Sequence, residues 1–211
     1  MRKCVLVCAV ILVLSVLAAP PAKAATTFNF GVKAGLSYSN VFWSDDDGSE
    51  RGLFRSTFGA FALINLTPMI AIQPEVNFLT MGESWEGMGE RVVERMNYLH
   101  IPVLVRARLM REGKFVPVVF AGPAIGILLS AKENEFDMTD ILRSTDFGAE
   151  LGLGGEFGLG AKMKGLIDLR FYLGLSNNFD PDMILTSKPM MIIEDFKEKN
   201  RALVLTFGLI F

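Results

Sequence analysis

The sequence predicts an all-β fold, an eight-stranded antiparallel up-and-down barrel. Eight segments of about ten residues alternate apolar side chains with small or polar ones, which is the period of a β-strand. The connections between these segments alternate between long and short, and the last segment, RALVLTFGLIF, runs to the final residue. An apolar strand of this kind needs a paired neighbour, because an exposed apolar edge promotes aggregation.

The first four segments differ in how cleanly they alternate. In the first, Lys33 shares a face with glycines and serines, and in the second, Phe61 and Leu63 blur the contrast. The third places Glu75 between Gln and Asn on one face, and the fourth is the clearest, with Arg106 on its polar face. These segments are FNFGVKAGLSYS (28–39), TFGAFALINL (57–66), IAIQPEVNFL (70–79) and NYLHIPVLVRARL (97–109).

Of the last four segments, the sixth and seventh put glycine on the same face as charge. Glu150 lies among glycines in the sixth segment, and Asp168 and Arg170 share a face in the seventh. Small residues beside long ionic ones are typical of a narrow barrel interior. These segments are FVPVVFAGPAIGILL (115–129), DFGAELGLGGEF (146–157), GLIDLRFYLGL (165–175) and RALVLTFGLIF (201–211).

The connections favour a barrel that spans a membrane. Long and short connections alternate strictly across all seven, and the sorting of loops by end is typical of outer-membrane barrels. A soluble lipocalin-like barrel, with its apolar face inside around a ligand, is the alternative. We favour the membrane barrel because the apolar face is bulky and the opposite face is rich in glycine.

On this interpretation the polar face lines a narrow lumen. Buried charges are tolerated where they are paired and hydrogen-bonded, so we expect a salt-bridged plug and no wide diffusion pore. The predicted charge network consists of Lys33, Glu75, His100, Arg106, Arg108, Glu150, Asp168 and Arg170.

The N-terminus predicts export. Residues 1–24 begin with two basic residues, continue with an apolar run and close on an A-x-A pattern, which is the layout of a secretory signal peptide. The barrel domain is expected over residues 25–211. An uncleaved anchor is the alternative. Cleavage would remove both cysteines and three of the 21 basic residues, leaving 18 basic against 23 acidic residues and a net charge of −5. This balance gives no support to nucleic-acid binding.

The chain resembles the outer-membrane β-barrel domain family common in Bacteroidetes, often called PorT-like or porin-like. The stretches that carry the resemblance are FGVKAGLSYSN, IQPEVNFLTMG, NYLHIPVLVRARL, FAGPAIGILLS, DFGAELGLG, DLRFYLGLSN and LTFGLIF. The resemblance implies an eight-stranded barrel inserted by the barrel-assembly machinery, with a terminal insertion signal at Phe207, Leu209 and Phe211. We expect the protein to be a monomer in the lipid of the outer membrane. The PorT branch implies an alternative role in protein secretion or envelope assembly, with a partner from that system.

No motif predicts an enzyme or a cofactor. His100 is the single histidine, and its face carries Arg106 and Arg108 where a hydrolase would need a nucleophile or a carboxylate. The acidic stretch 45–50 lacks the spacing of an EF-hand, so no metal site is predicted. Trp43 and Trp85 are expected in external loops near the membrane interface, and the apolar stretch 189–196 is expected to extend a strand. We therefore expect a non-enzymatic protein with a structural or interaction role.

Overall fold

The structure is a computed structural model that describes residues 27–42, 51–87, 90–139, 142–160, 163–177 and 199–211. The predicted signal peptide, Trp43, the acidic stretch 45–50 and the apolar stretch 189–196 lie outside these residues. The described residues contain no helix long and apolar enough to cross a membrane. The described residues form ten β-strands: β1 (Thr27–Phe42), β2 (Arg51–Asn65), β3 (Ile70–Met81), β4 (Glu83–Gly87), β5 (Glu90–Arg108), β6 (Phe115–Glu133), β7 (Phe136–Asp137), β8 (Thr145–Gly158), β9 (Lys164–Gly174) and β10 (Lys199–Ile210).

The strands close into a barrel with eight positions, as the sequence predicts. All neighbours pair antiparallel, in the order β1, β2, β3, β5, β6, β8, β9, β10, and β10 returns to pair with β1. β4 prolongs the position of β3, because both strands pair with β2 and with β5. Gly82 separates them with a φ of 137°, and a Cβ at this position would overlap the carbonyl oxygen of Glu94.

The apolar face of every barrel strand points outward. On β10, Leu203, Leu205 and Phe207 are exposed, whereas Val204 and Thr206 between them are buried. Strand β10 therefore closes the barrel and presents its apolar face to lipid. The soluble lipocalin-like alternative is wrong, since it requires these faces to be reversed.

The strands are longer than the predicted ten residues. They extend on the side of the long connections, and β5 and β6 each reach 19 residues. The stretch TMGESWEGMGERVVERM, expected as a loop, is largely β3, β4 and β5, so Trp85 lies in a strand and its predicted loop position is wrong. Outside a membrane both faces of a strand can be polar, which removes the period of two from the sequence.

A polar row on the outer surface marks the upper limit of the apolar belt. The hydroxyl of Thr80 donates to Asn97 Oδ1 at 2.7 Å, and Asn97 Nδ2 donates to Ser130 Oγ at 2.9 Å. Below this row the outward side chains of the same strands are apolar, among them Phe78 and Val103. Above it, β4, β5, β6 and β7 pair side by side as an extended wall, which we call the rim sheet.

Candidate functional site: an ion-paired lumen

The structure places all eight residues of the predicted charge network on the lumen face. They come from five strands, β1, β3, β5, β8 and β9, and all but Arg108 are buried. Arg108 is half-buried near the short connections. Alternation put these side chains on one face, and closure of the barrel brings them together.

Glu75 is the centre of the network. Its carboxylate forms ion pairs with Lys33 Nζ and, at 2.9 Å, with Arg170 Nη1. Gln73 Nε2 donates to one carboxylate oxygen at 2.7 Å, and Asn77 Nδ2 donates to the other at 2.9 Å. Two cations and two amides thus offset the cost of burying this carboxylate.

Arg170 joins three carboxylates from two sides of the lumen. Besides Glu75 on β3, it lies 3.2 Å from Glu150 on β8 and 3.2 Å from Asp168 on its own strand. A planar guanidinium with five donors suits this role better than an ammonium group does. Arg170 therefore ties together strands that lie on opposite sides of the barrel.

The network continues from Asp168 towards the short connections. Arg106 Nη1 lies 3.1 Å from Asp168, and Arg106 Nε lies 3.0 Å from Glu156. Glu156 also accepts from Arg108 Nε at 3.0 Å, and Arg108 Nη1 donates to Asn65 at 2.9 Å. The ion-paired chain balances four cations against four carboxylates: Lys33, Arg106, Arg108 and Arg170 against Glu75, Glu150, Glu156 and Asp168.

An aromatic ring lies between the two central arginines. The guanidinium carbons of Arg106 and Arg170 lie 5.5 and 5.2 Å from the centroid of the Phe120 ring, both within cation–π range. A Cβ at Gly152 would overlap this ring, and a Cβ at Gly154 would overlap Asp168 Oδ1. The glycines on the lumen face therefore make room for the long side chains opposite them.

Sequence reasoning missed Glu156 and Phe120. Each lies on the face already identified as polar, two residues beyond Gly154 and two before Gly122. The signal for Glu156 was present in the alternation. No sequence signal pointed to Phe120, because an aromatic residue among the glycines of the lumen face has no distinctive pattern.

A second polar cluster, also missed, lies closer to the rim. Asp146 Oδ2 accepts hydrogen bonds from the Tyr172 hydroxyl at 2.9 Å and from Asn200 Nδ2 at 2.8 Å, and Ser176 donates to Oδ1. Asn200 also donates to the Tyr98 hydroxyl at 3.3 Å. These residues come from β5, β8, β9, β10 and the connection after β9.

His100 is part of the lumen packing. Its Nδ1 lies 3.6 Å from Glu150 Oε1, and its ring meets the Tyr172 ring edge-on at 4.9 Å between centroids. Its carboxylate neighbour is already paired with Arg170. Among the described residues, no group of three or more His, Cys, Asp or Glu side chains is arranged to hold a metal ion.

Two of the cavities that the network lines differ in position and in size. One of about 350 Å³ opens at the end of the short connections and is lined by residues that include Arg108, Arg111, Glu156 and Lys164. The other, of about 10 Å³, lies at the centre beside Arg170. The ion-paired side chains therefore fill the middle of the lumen.

The three residues of the predicted insertion signal lie at the end of the closing strand. Phe207 and Phe211 are exposed on the outer surface, and Leu209 is half-buried. The backbone N–H of Phe211 donates to Phe30 O at 2.8 Å, and Asn29 Nδ2 donates to Phe211 O at 3.1 Å. Their role in insertion stays a prediction.

The fold and the lumen together define a transmembrane β-barrel with an ion-paired interior. A family model described as "Outer membrane protein beta-barrel domain" matches residues 20–180, so the chain belongs to this family and resides in the outer membrane. The family-level resemblance is thereby confirmed.

Two solved structures share the fold. OprG from Pseudomonas aeruginosa is 11% identical with a TM-score of 0.52, and the match covers 88% of this chain and 97% of that one. Neisserial surface protein A (NspA) is 9% identical with a TM-score of 0.53, over 85% of this chain and 95% of that one. At these identities the likeness shows the fold alone. No curated protein has a matching sequence.

Proposed function

We propose that the protein is a non-enzymatic interaction protein of the outer membrane. Its barrel serves as a monomeric, closed anchor, and the rim sheet makes the contact with a partner. The observation that carries this proposal is the filled lumen, in which four cations and four carboxylates from β1, β3, β5, β8 and β9 form one ion-paired chain. Because eight strands leave no more space than side chains can occupy, passive transport is a poor role for this barrel.

The rim sheet supports a role at the cell surface. In outer-membrane barrels the short turns face the periplasm and the long connections face outward, so β4, β7 and the upper ends of β5 and β6 would lie outside the cell. At the tip of this sheet Phe136 is 78% exposed, above the polar row that limits the apolar belt. An exposed aromatic residue outside the lipid is a common element of protein contacts.

Site-specific photocrosslinking in living cells tests the proposal. A benzoylphenylalanine at position 136 should give discrete adducts with protein, whereas the same probe at Phe171, which lies on the lipid-facing side of β9, should give none. Both positions are natural phenylalanines, so each probe disturbs the barrel little. Equal labelling at the two positions, or no protein adduct at 136, would contradict an interaction role for the rim.

A narrower form of this function follows from the resemblance to PorT-like proteins. The partner would then belong to a secretion or envelope-assembly system, and the barrel-assembly machinery would act only during insertion. A deletion strain distinguishes the two forms, because secretion of exported proteins would fail only if the narrower form is correct.

A further inference from the structure

The small cavity at the centre of the lumen has the size of one water molecule. Its volume is about 10 Å³, close to the smallest volume in which a single water is accommodated. It is lined by residues from seven strands, namely Lys33, Thr57, Asn77, Leu79, His100, Glu150, Arg170, Val204 and Thr206.

Four of the residues around this cavity carry a buried polar atom without a hydrogen-bond partner. These atoms are Asn77 Oδ1, His100 Nε2, Arg170 Nε and Thr206 Oγ1. The four residues are between 1% and 4% exposed, so bulk water does not reach them. An unsatisfied buried polar group is destabilising, and four such atoms around one cavity indicate a shared partner.

The hydrogen bonds of neighbouring atoms define which of the four atoms accept. Asn77 Nδ2 donates to Glu75, which orients the amide and leaves its Oδ1 as an acceptor. His100 Nδ1 faces the Glu150 carboxylate at 3.6 Å, so a proton on Nδ1 is favoured and Nε2 keeps its lone pair. Both atoms therefore need a donor.

The other two atoms supply donors. Arg170 Nε carries a hydrogen and cannot accept, and the Thr206 hydroxyl is able to donate. A metal or ammonium ion is disfavoured beside the Arg170 guanidinium. An anion is disfavoured beside Asn77 Oδ1 and the lone pair of His100. Only a neutral molecule that both donates and accepts satisfies all four atoms.

We propose that this cavity is a binding site for one buried water molecule. The water donates to Asn77 Oδ1 and His100 Nε2 and accepts from Arg170 Nε and Thr206 Oγ1, which uses its full hydrogen-bonding capacity. It links the neutral side chains of β3, β5 and β10 to the ion-paired arginine of β9. It also holds His100 in the tautomer with the proton on Nδ1.

The single histidine of the chain makes this site directly observable. In full-length protein labelled with ¹⁵N-histidine, without an affinity tag and inserted in lipid nanodiscs, one imidazole signal reports on the cavity. We expect a protonated Nδ1, an unprotonated Nε2 and cross-relaxation between the ring Hε1 and a long-lived water. A proton on Nε2, or no transfer from water to the ring, would overturn the proposal.

Two isosteric variants separate the water site from general packing. Thr206→Val removes a donor to the water, and we expect loss of the water-to-ring transfer. Thr57→Val is the matched control, because Thr57 lines the same cavity but its hydroxyl already donates to Phe78 O at 2.8 Å. The proposal predicts that this control keeps the transfer. Equal loss in both variants, or unchanged transfer in Thr206→Val, would contradict it.

Discussion

Arg170 and Glu75 form two hydrogen bonds across the lumen, at 2.9 Å from Nη1 and 3.4 Å from Nη2, although 95 residues separate them in the chain. Their strands, β9 and β3, occupy opposite positions in the ring of eight. The pair therefore joins two walls of the barrel that share no backbone hydrogen bonds. Its partners on either side, Lys33 and Asp168, extend the connection along the lumen.

Replacement of the central carboxylate should destabilise the barrel strongly. Glu75→Gln leaves Lys33 and Arg170 buried with an excess positive charge, and the loss of one member of a buried network costs about 3–5 kcal/mol. The free energy of unfolding, measured by urea titration of the lipid-inserted protein, should fall by this amount. Asp137→Asn is the matched control, since Asp137 is exposed on β7.

Restoring the charge balance should recover part of the loss. Adding Lys33→Met to Glu75→Gln removes the unpaired ammonium, so the double variant is expected to be more stable than Glu75→Gln alone. A double variant whose destabilisation equals the sum of the two single effects would mean that these residues are not coupled.

The glycines of β8 differ in the space around them, so the loss of stability caused by an added methyl group should depend on its position. Gly154→Ala places a Cβ against Asp168 Oδ1 and the backbone of Ile167, and overpacking of this kind costs about 1–3 kcal/mol. Gly158→Ala, near the end of the same strand, meets no atom within 4 Å and should be nearly neutral. Equal stability of the two variants in urea unfolding would show that the lumen is loosely packed.

A charge on the lipid-facing surface should reduce the free energy of unfolding more at the middle of the apolar belt than at its edge. Leu151 is 57% exposed at the middle of β8, and Leu151→Arg should cost about 2–4 kcal/mol at the bilayer midplane. Leu159, just beyond the end of the same strand, is also exposed, and Leu159→Arg should cost about 0–1 kcal/mol at the interface. Urea unfolding in liposomes measures both. A reversed order would place the membrane elsewhere on the barrel.

A variant of Phe211 tests the role of its aromatic ring in insertion separately from the backbone pairing of the strand. Phe211→Ala keeps the backbone hydrogen bond from Phe211 to Phe30 O but removes the aromatic side chain. We expect a lower fraction of heat-modifiable protein in the outer membrane of cells that express this variant. Phe171→Ala, on a lipid-facing position of β9, is the control. Unchanged insertion of Phe211→Ala would rule out an insertion signal that depends on this ring.

Alternation predicted the barrel because each membrane strand has one face in lipid and one in the lumen. The sides of Lys33, Glu75 and Arg170 therefore followed directly from the sequence. Their pairing did not follow, because the contact between Glu75 and Arg170 depends on the stagger of strands that the chain pattern does not specify.

Two regions show where the pattern fails for physical reasons. The rim strands around Glu94 and Arg95 lie beyond the apolar belt, where neither face must be apolar, so their sequence carried no period. Phe61 and Leu63 blurred the second segment because they face inward, in a cluster with Ala71, Leu166 and Ile210 near the short connections. An apolar cluster inside a polar lumen cannot be distinguished from a lipid-facing one by residue type.

Electrical recording on the intact protein tests whether the ion-paired network closes the lumen. Purified wild-type protein, shown to be folded by its heat-modifiable migration, would be inserted in planar lipid bilayers at both voltage polarities. The network of Glu75, Arg106 and Arg170 predicts no steady conductance steps. Stable, reproducible conductance steps from the folded wild-type protein would show that the lumen is open and would support a role in transport.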